Sequence, residues 1–167
     1  MAEAFERIYR DYGRSVHAYL ARLTGNTGVA EDLCQETFLR YLRHRDRIHG
    51  RNGTLGAWLF RVATNLARDR VRKRQPESLH HEPFAAEPDG CAAAEARDRD
   101  ARVRHEVERL RPELREVFLL RAHHEFTYCK VAEALTISER TAKERFRRAR
   151  EILAHRLAPH LREDVSR

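Results

Sequence analysis

The residues best suited to chemistry are arginines, and they concentrate on two stretches with helical spacing. From Ser138 to about Leu157, the residues Ala142, Phe146, Ala149 and Leu153 recur as one inner stripe. That leaves Arg140, Glu144, Arg147, Arg148 and Glu151 on the outer face, with Lys143 on its flank. An Arg fork can read guanine through two acceptors, and a Glu can accept from the amino group of cytosine. Residues 138–156 carry a net charge of +4. The second stretch, 58–74, holds six basic residues against one acidic, a net of +5. Five of its cations fall between Arg68 and Arg74, more than a helix C-terminus needs to offset its dipole, so a polyanion is the expected neighbour. Trp58 and Asn65 precede these cations, and aromatics beside cations suit bases as well as phosphates. A lone inward Trp is equally a core residue.

A third surface has the opposite character. In Ala30–Leu42, the residues Ala30, Leu33, Cys34, Thr37, Phe38, Tyr41 and Leu42 form a buried helical stripe. The other face bears Glu31, Asp32, Gln35, Glu36, Leu39, Arg40 and Arg43. A solvated face does not need Leu39, whereas a protein-docking face can use it.

Other chemistries find no foothold. There is no nucleophile–base grouping, Gly-rich phosphate loop or paired-carboxylate motif, so neither an enzyme nor a cofactor is expected. His80-His81 and His123-His124 are adjacent pairs that do not face one another on a helix. Cys129 with His123 and His124 falls short of four zinc ligands, so no metal site is expected. The three cysteines, Cys34, Cys91 and Cys129, are widely spaced, which fits a reducing cytoplasm. The acidic start of the chain lacks a signal peptide's pattern, and no apolar run is long enough for a membrane span. Of 33 basic residues 30 are Arg; codon bias accounts for most of that ratio, and function for where the arginines lie.

Helices must position these faces, and the pattern is all-α in two small domains. A first helix spans 4–24, with Phe5, Ile8, Tyr9, Tyr12, Val16, Tyr19, Leu20 and Leu23 inward, and Gly25-Asn26-Thr27-Gly28 ends it. The docking helix follows, and a polar loop breaks it at Asp46 to Gly53. Thr54 caps a third helix whose inner side is Leu55, Trp58, Leu59, Val62, Ala63 and Leu66. Composition then flips. Residues 75–96 hold five acidic residues, no Lys or Arg, and Pro76, Pro83, Pro88 and Gly90, which reads as an acidic flexible linker. Helix resumes over 97–110. Pro112 opens the next helix, with Leu114, Val117, Phe118 and Leu120 buried. Thr127 caps Tyr128–Leu135, Thr136-Ile137 is a turn, and Ser138 caps the arginine helix: a helix-turn-helix within a four-helix domain. The domains are thus 1–75 and 97–158, joined by 76–96 and followed by a tail, 159–167, expected to fray.

Ala30-Glu31-Asp32-Leu33-Cys34-Gln35-Glu36-Thr37-Phe38-Leu39-Arg40 resembles the core-polymerase-binding helix of bacterial sigma-70 family factors. The likeness is to the small extracytoplasmic-function (ECF) group, which keeps only the second and fourth sigma regions. Ala57-Trp58-Leu59-Phe60-Arg61-Val62-Ala63-Thr64-Asn65-Leu66-Ala67 looks like that group's −10-element helix. Leu110 to Arg121 and Ile137-Ser138-Glu139-Arg140-Thr141-Ala142-Lys143 look like its −35-binding region.

The resemblance implies a transcription initiation factor that directs core RNA polymerase to promoters. Asp32, Gln35, Glu36 and Leu39 would meet the clamp helices of the polymerase largest subunit, and the second domain would rest on the flap. The loop bearing Ile48, Arg51 and Asn52 would hold an unpaired −10 base. Trp58, Arg61, Asn65, Arg68, Arg72 and Lys73 would serve the same element and its phosphates. Arg140, Thr141, Lys143, Glu144, Arg147 and Arg148 would face the −35 groove. An anti-sigma factor as regulator is implied as well. The chain departs from the family at Thr136, where glycine is common, and at Ala142, Lys130 and Glu144. Two other readings remain open: a sigma-like decoy for an anti-sigma factor, and a stand-alone helix-turn-helix regulator.

Overall fold

A computed structural model describes residues 2–48, 54–73 and 92–163. Seven helices occupy them: α1 (Ala2–Thr24), α2 (Thr27–Ile48), α3 (Leu55–Lys73), α4 (Ala92–Glu108), α5 (Pro112–Ala122), α6 (Tyr128–Leu135) and α7 (Glu139–Glu163). No strand occurs among the described residues.

Short polar signals set the boundaries. Gly25 sits at φ 67 and donates its N–H to the Ala21 carbonyl at 2.9 Å, closing α1 in the left-handed conformation that glycine tolerates. The side chain of Asn26 accepts from the Val29 N–H at 2.8 Å and opens α2. Thr54, Thr127 and Ser138 cap α3, α6 and α7, accepting from Ala57, Lys130 and Thr141 at 3.3, 3.3 and 3.0 Å.

Several boundaries differ from those expected. α2 continues to Ile48, so Asp46–Ile48 are helical rather than loop, and Ile48 packs against the core. α4 begins at Ala92, five residues inside the span read as linker; Ala92-Ala93-Ala94-Glu95-Ala96 has strong helix propensity that outweighs its acidic context. α7 runs past Pro159 to Glu163, into the expected tail, with Leu153 and Leu157 anchoring the turns before the proline. Most of the acidic linker, 74–91, and the loop 49–53 lie outside the described residues.

α1, α2 and α3 pack as one three-helix unit, and α4 to α7 as another. Val16, Tyr19, Leu20, Ala30, Leu59 and Phe60 are fully buried in the first, and Val117, Leu119, Leu120, Val131, Ala142 and Ala149 in the second. The units are not separate: α5 and α6 lie against α1 and α3, and one continuous apolar cluster runs through both. α3 is consequently buried on two sides. Its inner stripe faces α1 and α2, while Phe60, Thr64 and Ala67, which lie outside the expected stripe, are buried as well. α5 is sandwiched likewise, with Leu119 and Glu116 buried in addition to the expected Leu114, Val117 and Leu120.

Candidate nucleic-acid and protein-docking faces

The acidic face of α2 stands clear of both units. Asp32, Gln35 and Leu39 are exposed; Glu36 is half-buried and accepts from Arg40 at 3.0 Å, with Arg43 at 4.0 Å. Leu39 keeps 46% of its surface in solvent, while Leu33, Cys34, Thr37, Phe38 and Tyr41 carry the core contact. Leu42, expected in the buried stripe, is exposed too, because the stripe's edge drifts off the contact with α1 and α3 at the end of the helix. Tyr9 is also half-exposed and packs edge-on against Phe38 at 4.9 Å.

α7 presents its arginines to solvent. The turn before it is tight. Thr136 occupies the left-handed region, at φ 56 and ψ 47, and Ile137 donates its N–H to the Ala132 carbonyl at 3.0 Å. The Ser138 hydroxyl lies 2.7 Å from that of Thr141 and fixes the first turn. Ala142 and Ala149 are fully buried, and Phe146 packs between Phe118 and Tyr128, each 6.0 Å away by ring centroid. Arg140, Lys143, Glu144, Arg147 and Arg148 are exposed, and Thr141 is half-buried. Lys143 pairs with Glu139 at 2.9 Å and Arg147 with Glu151 at 2.5 Å, both exposed pairs one turn apart that solvent and salt loosen readily. Such a helix can lay an arginine-rich face into a DNA major groove without disturbing its core.

α3 is different. Asn65, Arg72 and Lys73 are exposed, and Arg72 pairs with Asp69 beside it at 3.0 Å. Trp58 is half-buried, edge-on to Tyr41 at 6.3 Å. Arg61 and Arg68 instead turn to the second unit. Arg61 donates Nε and Nη2 to the Glu133 carbonyl at 3.1 and 2.7 Å. Arg68 forks onto both carboxylate oxygens of Glu116, at 2.8 and 2.5 Å, and Glu116 is only 2% exposed. Between them Phe60 packs on Tyr19, His124 and Phe126 at 5.2, 4.9 and 5.0 Å, and Thr64 hydrogen-bonds Tyr19 at 2.8 Å. Burial, with Glu116 nearby, raises the Tyr19 phenol well above its usual range. Arg115 on α5 adds a further tie, donating to the Leu23 carbonyl of α1 at 3.1 Å.

Sequence reasoning missed Glu116 and His124. The only available signal for Glu116 was a carboxylate in a stripe otherwise apolar at Leu119 and Leu120. His124 is pushed down to about 4, first by burial and then by the positive charges of Arg22 and His123, so it is neutral at pH 7. No group of three or more His, Cys, Asp or Glu side chains among the described residues is placed to hold a metal. Arg51 and Asn52 lie outside the described residues.

Two family models match the chain: Sigma-70 region 2 over residues 8–77 and Sigma-70, region 4 over residues 100–153. The ECF RNA polymerase sigma factor SigW of Bacillus subtilis is 30% identical over 93% of this chain and 89% of its own length. The RNA polymerase sigma factor CarQ of Myxococcus xanthus is 30% identical over 90% and 87% respectively. Among solved structures, CnrH in complex with the cytosolic domain of CnrY is 26% identical, with a TM-score of 0.71 over 95% of this chain and 90% of that one. The sigma factor RpoE of Bartonella quintana, solved with the anti-sigma factor NepR, shares the fold at a TM-score of 0.77 over 93% of this chain and 98% of that one, with 24% identity.

Proposed function

Because this chain belongs to the ECF group of sigma-70 family RNA polymerase sigma factors, we propose how its faces divide the work of that group. It is a transcription initiation factor that binds core RNA polymerase and directs it to promoters through −10 and −35 elements. In this reading Asp32, Gln35, Glu36 and Leu39 on α2 dock on the clamp helices of the polymerase largest subunit. Arg140, Thr141, Lys143, Glu144, Arg147 and Arg148 on α7 meet the −35 duplex. Trp58, Arg61, Asn65, Arg68, Arg72 and Lys73 on α3, with Ile48, Arg51 and Asn52 before it, take the −10 element and its phosphates. The domains divide at 1–75 and 97–158. The second domain also rests on the polymerase flap.

The chain acts as a binding module and leaves bond-making to the polymerase, which places its work in the cytoplasm and calls for no cofactor. An anti-sigma protein is its proposed regulator; the similar CnrH was solved with the cytosolic domain of CnrY bound.

The observation that carries the docking assignment is Leu39, 46% exposed among Asp32 and Gln35 on a helix whose core contact is complete without it. An exposed leucine there serves a protein partner, and the acidic groups beside it repel DNA. The test is capture of core RNA polymerase by the full chain. The Asp32→Ala, Gln35→Ala double variant is expected to bind at least about tenfold more weakly with unchanged helicity by circular dichroism. Equal binding would remove this face from the interface.

A further inference from the structure

We propose that the cleft between α1, α4 and α5 is a binding site for a small amphiphilic carboxylate, an acyl chain with an acid head. The cleft shares no residue with the faces assigned to polymerase and DNA, and neither assignment enters the argument.

Small side chains make the space. Ala18, Ala21 and Gly25 recur at helical spacing along α1, and Ala101, Val103 and Val107 line the cleft from α4. Arg115 of α5, donating to the Leu23 carbonyl at 3.1 Å, pins α5 to the end of α1. Side chains this short leave a cleft of about 640 Å³ between the helices. Small-ligand sites span roughly 300–1,000 Å³. The apolar part is aliphatic. No Phe, Tyr or Trp lines it among the described residues, so a planar base finds no such ring to stack on.

The cleft is also cationic. Arg14, Arg22 and Arg104 line it, and none of the three makes an ion pair among the described residues. Of the two carboxylates on the same walls, Glu108 interacts with Arg115, and Asp100 is exposed. Arg22 is half-buried; after partial burial, its charge is what holds His123 below the ordinary histidine range. A free guanidinium offers a carboxylate two parallel N–H donors. Beside an aliphatic floor, it is complementary to an anion carried on a hydrocarbon body. The walls come from both helical units, α1 from the first and α4 and α5 from the second, so an occupant favours the arrangement that keeps them in contact.

The test uses the full chain and decanoate, titrated by calorimetry below its micelle-forming concentration. A single saturable site is expected, with a thermal midpoint that rises as decanoate is added. The Arg22→Ala, Arg104→Ala double variant should bind at least about tenfold more weakly with unchanged helicity. 1-Decanol, the same chain without the acid, should lose a similar factor on the parent protein. Ala18→Phe, which fills the cleft, should abolish binding; should it fail to fold, the arginine pair and 1-decanol decide the matter. No saturable site, decanoate binding indifferent to the arginine pair, 1-decanol binding as tightly as decanoate, or ATP binding more tightly than decanoate would each overturn the assignment.

Discussion

α3 and α7 carry similar charge, +5 over 58–74 and +4 over 138–156, yet they hold their arginines in opposite ways. α7 buries one narrow stripe through Ala142, Ala149 and Leu153, so Arg140, Lys143, Arg147 and Arg148 fall on a free face, where Lys143 and Arg147 pair with neighbours one turn away, while Arg156 further along meets Glu106 of α4. α3 buries two faces, and Arg61 and Arg68 lie in the seam with the second unit. Basic composition thus marks a helix as suited to DNA but does not say whether its cations are available. Availability depends on how many faces the helix must bury. The α2 surface completes the contrast, because its acidic groups and Leu39 are left in solvent by both units.

The contrast can be broken most forcefully at Phe60, 1% exposed and packed on Tyr19 within its own unit and on His124 and Phe126 across the seam. Phe60→Ala is expected to cost about 3–5 kcal/mol in urea unfolding and to abolish cooperativity between the units. Arg68→Ala should come next, at about 3 kcal/mol, because it strands the Glu116 carboxylate in the interior. Arg147→Ala, removing an exposed pair held by one contact, should cost less than about 0.5 kcal/mol in the same measurement. Equal costs for Arg68 and Arg147 would erase the distinction between the helices.

Acid should weaken the seam selectively. His124 faces Tyr19 and Phe60, with Arg22 and His123 as the nearby positive groups, and is held at about 4 against an ordinary 6.5. Its neutral form is the one the closed arrangement accepts. The stability this provides is therefore complete above pH ~6.5 and declines as the pH falls from there towards about 4. Urea midpoints at neutral and mildly acidic pH should differ, and His124→Leu should flatten the difference; His123, lowered for the same reasons, leaves a residue of it. The smallest favourable change is at the helix-turn-helix turn. Thr136 is β-branched and left-handed, so Thr136→Gly should stabilise by about 1 kcal/mol in thermal unfolding.

Much of this was legible in the sequence. The α6 limits, the caps at Thr54, Thr127 and Ser138, and the α7 stripe follow from local signals, because capping and periodicity act within one turn. The second buried face of α3 was written in Phe60, Thr64 and Ala67, also at helical spacing, but Arg61 and Arg68 flank it and made it look solvated. Its meaning depends on Glu116, 48 residues from Arg68, and on a backbone carbonyl at Glu133, 72 residues from Arg61. No local pattern specifies a partner at that separation. The helical start at Ala92 was hidden differently, since proline and acidic content upstream outweighed a short alanine run in a window average. The expected site residues are helical-face assignments that the structure places in space; their contacts with polymerase and DNA remain the proposal stated above.

The most direct test of the account is promoter-directed run-off transcription by core RNA polymerase reconstituted with the full chain. The account predicts a discrete transcript that depends on the chain and is lost with Asp32→Ala, Gln35→Ala on α2 and with Arg147→Ala, Arg148→Ala on α7. A transcript indifferent to both pairs, or a chain that neither binds polymerase nor starts transcription, would contradict it.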